Sequence, residues 1–385
     1  MTPWNQLAPL AITTAFGFGL ILALLGSIKL TLAQRCNLDE AKVGGLLAVF
    51  NLALIPLLLA SGWLVDHLGI LLVVGFGSVV TALALAALAL ARTYTGSRYA
   101  LLVLGAGAAC LCTGATVLMP RAFFEGHTAA ALNFGNIFFG LGALAAPALA
   151  DTLIRVAGFR RGLSLLALLC LAPAVATLQV PSTALPAVDQ PGALSDVLTQ
   201  PAIWLTALVV LLYLPIEGAL GTWATTYLAD TGHSPRRAAF WLSGFWLVFL
   251  LGRLAMAWLL QRGYLPRDTD AWIVVVLGLA CAVALGNLSS MHRRAGATQA
   301  LLLVGLLLGP VFPTLIGVLF QHVSAADRGT AFGAVYALGS AGSLLLPPLI
   351  GAQARRTSVR IAMRIPSGVA VLMGGAAAAL ALMQG

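Results

Sequence analysis

Long apolar stretches alternate with short polar connections along almost the whole chain. A helix needs about 20 predominantly apolar residues to cross the hydrocarbon core of a bilayer. Cutting the sequence at its charged and turn-forming residues leaves twelve stretches of roughly that length. They cover residues 7–30, 43–65, 68–91, 99–120, 129–151, 162–180, 202–229, 238–261, 271–291, 298–320, 329–351 and 365–383. The pattern predicts an all-α membrane protein with twelve transmembrane helices.

One connection differs from the others. Residues 181–200, PSTALPAVDQPGALSDVLTQ, are richer in Pro, Ser and Asp and follow the sixth stretch. We therefore expect a six-helix bundle over residues 1–180, a linker over 181–200 and a second six-helix bundle over 201–385. Many secondary transporters consist of two related halves packed around a site near the middle of the membrane.

A weak internal repeat supports two related, pseudo-symmetric bundles. GALAAPAL (142–149) in the fifth stretch matches GSLLLPPL (342–349) in the eleventh, each with a glycine five residues before a proline. GWLVDHLG (62–69) matches AMAWLLQRG (255–263) in position. The two matches have nearly the same offset, about 200 and about 194 residues, which indicates a duplication.

Composition agrees with a membrane location and excludes several other functions. Hydrophobic residues make up 60% of the 385 and charged residues 9%, whereas a soluble domain usually carries about 25% charged residues. The net charge of +9 fits contact with anionic lipid rather than nucleic acid. The first apolar run lacks a basic n-region and a clear cleavage site, so we expect a retained helix in an inner or plasma membrane. Five scattered cysteines are expected to serve as packing residues, not metal ligands.

Motifs for nucleotide-driven or hydrolytic chemistry are absent from the sequence. There is no G-x-x-x-x-G-K-[ST] phosphate loop, no H-E-x-x-H and no G-x-S-x-G. The sequence therefore predicts neither an ATP-driven pump nor an enzyme, and it gives no reason to expect a cofactor. We expect a monomer.

Several stretches resemble the major facilitator superfamily. SGWLVDHLGI (61–70) is similar to its loop signature G-x-L-x-D-R-x-G-R-R/K, with Gly62, Asp66 and Gly69 in place and the basic positions altered. ALNFGNIFFGLGALAAP (131–147), YLPIEGALGTWATTYL (213–228), LGRL (251–254), GPVFPT (309–314) and LLLPPLIG (344–351) resemble the fucose–proton symporter branch, which transports sugars.

The resemblance implies a twelve-helix rocker-switch transporter with a central cavity and both termini in the cytoplasm. Relatives couple to protons through carboxylates in the first and fourth helices, but neither helix has a mid-span carboxylate here. The orientation also conflicts with the charge pattern. Cytoplasmic termini would leave most of the 21 Lys and Arg residues on the outer side, whereas basic residues are normally enriched on the cytoplasmic side.

Glu217 is the candidate for proton coupling, because it lies near the middle of the seventh stretch. A charged side chain there costs roughly 2.5–3.5 kcal/mol on insertion scales and persists mainly where it faces a cavity or a partner. We expect Glu217 to line the cavity and either exchange a proton or bind a hydroxylated solute. The alternative is permanent pairing with Lys29 or Arg253, the two candidate charge partners. Lys29 could instead extend to the headgroups, and Pro215 could kink the helix.

Polar and aromatic residues supply further candidates for solute binding. Asn133 and Asn136 share one helix face, and their amides suit sugar hydroxyls; interhelical hydrogen bonding is the alternative. Trp223 and Tyr227 could stack on a sugar ring, or belong to the aromatic belt at the membrane surface. Asp66 is expected to cap or latch helix ends rather than bind solute.

Prolines predict where helices are interrupted. We expect Pro310 and Pro313 to break the tenth span, and Pro147 to break the fifth.

The leading hypothesis is a proton-coupled symporter for a sugar-like solute, working by alternating access. A first alternative is an exporter of drugs or amphiphilic metabolites. Ala146 stands where the antiporter motif of the superfamily has a glycine before Pro147. A second alternative is a transport-inactive receptor or assembly factor.

Overall fold

The computed structural model describes residues 4–181, 190–266, 269–291, 293–343 and 346–383. Within these ranges the chain is helical and contains no strand. The sixteen helices are α1 (Trp4–Cys36), α2 (Glu40–Leu68), α3 (Ile70–Leu90), α4 (Tyr94–Ala122), α5 (Thr128–Leu169), α6 (Ala172–Thr177), α7 (Leu194–Leu198), α8 (Pro201–Asp230), α9 (Pro235–Gln261), α10 (Asp270–Leu288), α11 (Arg294–Leu308), α12 (Val311–His322), α13 (Arg328–Gly342), α14 (Leu346–Arg356), α15 (Val359–Ala362) and α16 (Arg364–Leu382).

Eleven segments in the described ranges are long and apolar enough to cross a membrane. One of them, Thr128–Thr177, has 50 residues and would measure about 75 Å as a straight helix, more than twice the hydrocarbon thickness of about 30 Å. Gly158 has non-helical φ and ψ of 78° and 162°, and a Cβ at Gly162 would lie 2.8 Å from the carbonyl carbon of Leu153. The chain therefore reverses at Gly158, which divides this segment into two crossings. The described residues then contain twelve crossings, the number predicted from hydropathy.

The chain folds into two compact units. Unit 1 consists of Met1–Ala131, Gly135–Val197 and Val323–Ala337, and unit 2 consists of Leu132–Phe134, Leu198–His322 and Leu338–Gly385. Two short segments therefore group with the unit formed mainly by the other half of the chain. They are Leu132–Phe134, which belongs to unit 2, and Val323–Ala337, which belongs to unit 1. Of the predicted linker, residues 182–189 lie outside the described residues, and α7 forms within the remainder.

Matching glycine contacts inside each unit support the first of the two sequence matches, between residues 142–149 and 342–349. In unit 1, a Cβ at Gly142 of α5 would overlap the carbonyl oxygen of Phe16 in α1. In unit 2, a Cβ at Gly342 of α13 would overlap the carbonyl oxygen of Leu211 in α8. Small residues let helix backbones approach this closely in membranes, where close van der Waals packing replaces the hydrophobic driving force. The glycines noticed in the sequence repeat therefore make equivalent helix contacts.

The proline predictions have mixed outcomes. The tenth span is broken as expected, because α11 ends at Leu308 and α12 begins at Val311. The expectation for Pro147 is wrong, since α5 keeps helical geometry through that residue and departs from it only at Gly158. A proline inside a helix removes one hydrogen bond, and neighbouring helices can compensate for that loss in a membrane bundle.

Candidate functional site

Glu217 lies near the middle of α8, whose backbone is helical from Pro201 to Asp230, through Pro215. Its side chain is half-buried, whereas Tyr213, one turn earlier on the same face, is fully buried. On the other side, a Cβ added at the exposed Gly218 would meet no described atom within 4 Å. Along the helix surface, Glu217 therefore lies between the packed Tyr213 and the open position of Gly218.

Arg253 lies in α9 and is only 3% exposed. Its Nε donates a hydrogen bond of 3.0 Å to the carbonyl oxygen of Gly309. That carbonyl would normally accept from the backbone N–H four residues later, but this residue is Pro313, which has none. The guanidinium carbon also lies 4.5 Å from the centroid of the Phe249 ring, a favourable cation–π distance. The break at the tenth span thus provides a buried acceptor for a buried cation.

Close packing of α9 on α11 makes this arrangement possible. A Cβ at Gly309 would overlap the carbonyl oxygen of Phe249, and one at Gly252 would overlap that of Leu306. The two backbones can touch only because both positions lack side chains. The guanidinium of Arg253 is consequently held within reach of the freed carbonyl.

Glu217, Tyr213 and Arg253 form an electrostatically coupled group in unit 2. The charges of Glu217 and Arg253 act on each other and on the Tyr213 hydroxyl. No direct ion pair of Glu217 occurs among the described residues, and no described group meets hydrogen-bond geometry with the Tyr213 hydroxyl. Lys29, the other candidate charge partner, is exposed in α1 of unit 1. The carboxyl group of Glu217 is therefore influenced by a nearby cation without being locked to it.

The two asparagines near the start of α5 are both buried but have different neighbours. Asn133 Nδ2 donates to Thr314 Oγ1 of α12 over 2.9 Å. Asn136 Nδ2 lies 3.7 Å from Met119 Sδ of α4. Each amide thus contacts a different helix, α12 for Asn133 and α4 for Asn136.

Helix α12 contacts both Asn133 and Tyr213, the aromatic residue one turn before Glu217. Its Thr314 accepts from Asn133, and its Phe312 stacks on Tyr213 with ring centroids 5.9 Å apart. Sequence reasoning missed Tyr213, Phe312 and Thr314, although all three lie inside stretches that carry the family resemblance. Their contacts join two candidate residues that are far apart in sequence.

Trp223 and Tyr227 lie further along α8, about 9 and 15 Å from Glu217 at 1.5 Å per residue. Trp223 packs against α14, where a Cβ at Gly351 would be 3.1 Å from its ring. Tyr227 is buried and its hydroxyl donates to the carbonyl oxygen of Leu288 over 3.0 Å. This bond satisfies a carbonyl at the end of α10 and fixes the Tyr227 hydroxyl there, and solute binding by Tyr227 stays a prediction.

Each residue of the loop signature has a structural task in unit 1. Asp66 accepts hydrogen bonds from the backbone N–H groups of Gly329, over 2.9 Å, and Thr330, over 2.6 Å. It therefore caps the N-terminus of α13. Gly62 allows this approach, because a Cβ there would overlap the carbonyl oxygen of Gly329. Gly69 ends α2 with a φ of 88°, which only glycine adopts without strain.

Replacing Asp66 with alanine should destabilise the protein by about 1–3 kcal/mol, because two helix N–H groups lose a charged acceptor. Thermal unfolding in detergent, followed by tryptophan fluorescence, measures the effect. Asp230→Ala is the matched control, since Asp230 is exposed at the end of α8. Equal melting temperatures for the two variants would contradict the capping role.

No cluster of three or more His, Cys, Asp or Glu side chains suited to a metal ion occurs in the described part of the chain. Four of the five cysteines are buried, Cys36 is half-buried, and all five are unpaired thiols.

Over 171 residues the chain is 27% identical to Bypass of stop codon protein 6 of Saccharomyces cerevisiae, a match that covers 43% of this chain and 34% of the yeast protein. The chain thus spans about a third of the length of that curated relative.

Two solved structures share the fold over nearly their whole length. The crystal structure of the fucose:proton symporter of E. coli matches with a TM-score of 0.78 and 18% identity, covering 99% of both chains. The crystal structure of the human organic anion transporter MFSD10 matches with a TM-score of 0.75 and 15% identity, covering 97% of this chain and 98% of the other.

The family model described as Major Facilitator Superfamily matches residues 7–347, which is most of the chain. Twelve crossings, a repeated bundle and the Gly62–Asp66–Gly69 signature agree with that match. This integral, multi-pass membrane protein belongs to the Major Facilitator Superfamily.

Proposed function

We propose that the protein is a secondary active transporter that moves a sugar-like polar solute across the membrane together with protons. The observation that carries the proposal is the environment of Glu217. Residue Glu217 is half-buried, its carboxyl group is influenced by Arg253, and it makes no direct ion pair with any described residue.

Arg253 makes proton exchange at Glu217 energetically feasible. Removing one member of a buried ion pair normally leaves an uncompensated charge and costs several kcal/mol. Here the guanidinium also has the Gly309 carbonyl and the Phe249 ring. Protonation of Glu217 therefore does not leave the arginine without favourable contacts. In this proposal the carboxyl group gains and loses a proton while Arg253 keeps these two contacts.

Protonation also changes what Glu217 can bind. A protonated carboxyl group donates one hydrogen bond, whereas a carboxylate only accepts. A solute hydroxyl can pair with either form of the carboxyl group. The side-chain amides of Asn133 and Asn136 contain both hydrogen-bond donors and hydrogen-bond acceptors. In this proposal the solute contacts these residues, and the site is exposed alternately to the two sides of the membrane. Tyr213 joins the proposed site because it lies one turn before Glu217 on the same face of α8, and Thr314 joins it through its hydrogen bond with Asn133.

Proteoliposome uptake tests the proposal directly. With an acidic exterior, a labelled sugar or sugar alcohol should accumulate inside, by up to about tenfold per pH unit if one proton accompanies one solute. Collapsing the gradient with a protonophore should return the inside concentration to that outside. Uptake that is the same with and without the pH gradient would rule out proton coupling. The absence of flux for every polyhydroxylated solute tested would favour the receptor alternative.

Export of amphiphilic or anionic metabolites is the second candidate function. The fold match to an organic anion transporter and the buried cation of Arg253 favour it. A ligand that binds only the native state raises the melting temperature. Stabilisation by sugars supports the symporter, whereas stabilisation only by lipophilic anions supports the exporter.

A further inference from the structure

One end of unit 2 carries eight arginines, which we call the arginine face. They are Arg236, Arg237, Arg293, Arg294, Arg355, Arg356, Arg360 and Arg364. All are exposed except Arg360, which is half-buried. Contacts show that these helix ends lie together. Arg364 Nε donates to Ser289 Oγ over 3.2 Å, and a Cβ at Gly232 would be 3.0 Å from Arg294 Nε.

The positive charge of the arginine face is not balanced within unit 2. Asp230 is the single acidic residue near these helix ends in the described part of the unit. None of the eight arginines forms an ion pair with a described residue. The face is therefore strongly cationic and attracts anions from its surroundings.

Four of the arginines lie at helix N-termini, where a cation does not stabilise the helix. Arg236 and Arg237 fall in the first turn of α9, and Arg294 and Arg364 begin α11 and α16. The helix dipole places partial positive charge at an N-terminus, so cations there are unfavourable. Helix stability therefore does not explain these four residues, and an external anion would compensate for the repulsion. Arg355, Arg356 and Arg360 lie in the last turns of α14 and α15, where the dipole favours a cation.

The depth of the arginine face matches the headgroup region of a membrane. One turn inside α9, Phe240 is 66% exposed, and two turns inside α16, Leu372 is 64% exposed. On membrane-spanning helices such apolar side chains contact lipid tails. The arginines stand just beyond them, at the level of phosphate groups.

We propose that the arginine face binds the headgroups of anionic phospholipids, with the acyl chains lying along the exposed apolar surfaces of α9 and α16. This role is independent of the transported solute. Lipid phosphate supplies the missing negative charge, and the adjoining apolar side chains favour a lipid over a free anion. Basic clusters at helix ends recognise anionic lipids through these two contributions.

Native mass spectrometry of the full chain in detergent tests the proposal, using phosphatidylglycerol and phosphatidylcholine as probes. The protein should bind phosphatidylglycerol at least tenfold more tightly. Replacing Arg236, Arg237, Arg355 and Arg356 together with glutamine should lower that ratio by at least tenfold, since each basic residue near an anionic surface contributes roughly a fivefold factor.

Two control variants separate charge from structure. The same four residues changed to lysine keep the charge and should keep the preference, whereas Arg262→Gln, an exposed change outside the face, should leave it unaltered. An unchanged ratio in the glutamine variant would overturn the proposal. Displacement of phosphatidylglycerol by an equal concentration of glycerol phosphate would also overturn it, because the face would then bind free phosphate rather than lipid.

Discussion

Glu217→Gln is expected to abolish gradient-driven accumulation while preserving solute exchange. Glutamine has nearly the shape of glutamate and can still hydrogen-bond a hydroxyl, but it does not take up or release a proton. A pH gradient would then no longer drive the solute, so the ratio of inside to outside concentration should fall to about one. Counterflow, in which unlabelled solute inside exchanges for labelled solute outside, needs no net proton movement and should persist. Both are measured in proteoliposomes.

Glu125→Gln is the matched control for this experiment, because Glu125 is an exposed glutamate between α4 and α5. It should accumulate solute like the unmodified protein. Melting temperatures of both variants separate a coupling defect from misfolding. Accumulation that persists in Glu217→Gln would exclude this residue as the coupling group, and loss of counterflow together with accumulation would assign it to solute binding instead.

Gly19→Ala should destabilise the protein by about 1–3 kcal/mol, the usual cost of forcing extra volume into a packed interior. A Cβ at Gly19 of α1 would overlap the backbone carbonyl oxygen of Phe139 in α5. The obstacle is backbone, so relief requires moving one helix away from the other rather than rotating a side chain. The loss should appear as a lower melting temperature in detergent.

Gly26→Ala provides the control within the same helix. A Cβ there meets no described atom within 4 Å, and alanine is a better helix former than glycine by about 0.5–1 kcal/mol. The two substitutions are chemically identical and should have opposite effects. A higher melting temperature for Gly19→Ala would show that the α1–α5 contact is looser than described.

Much of the fold could be predicted from the sequence, because a membrane imposes a simple length rule on apolar segments. The twelve crossings and the duplicated glycine–proline pattern both follow from local composition. Pro147 shows the limit of this reasoning. Whether a proline breaks a helix depends on its neighbours, and in α5 the chain departs from helical geometry at Gly158 instead.

That Glu217 is unusual follows from the sequence alone, since a carboxyl group in the middle of an apolar span requires a wet or charged environment. Its actual neighbours follow from the packing of the helices. Pro313 leaves the Gly309 carbonyl without its helical donor, and the crossing of α9 with α11 brings Arg253 to that carbonyl. The same holds for Asn133, which reaches Thr314 across 181 residues. Such contacts depend on how helices pack, and local sequence patterns do not encode which residues meet at a crossing.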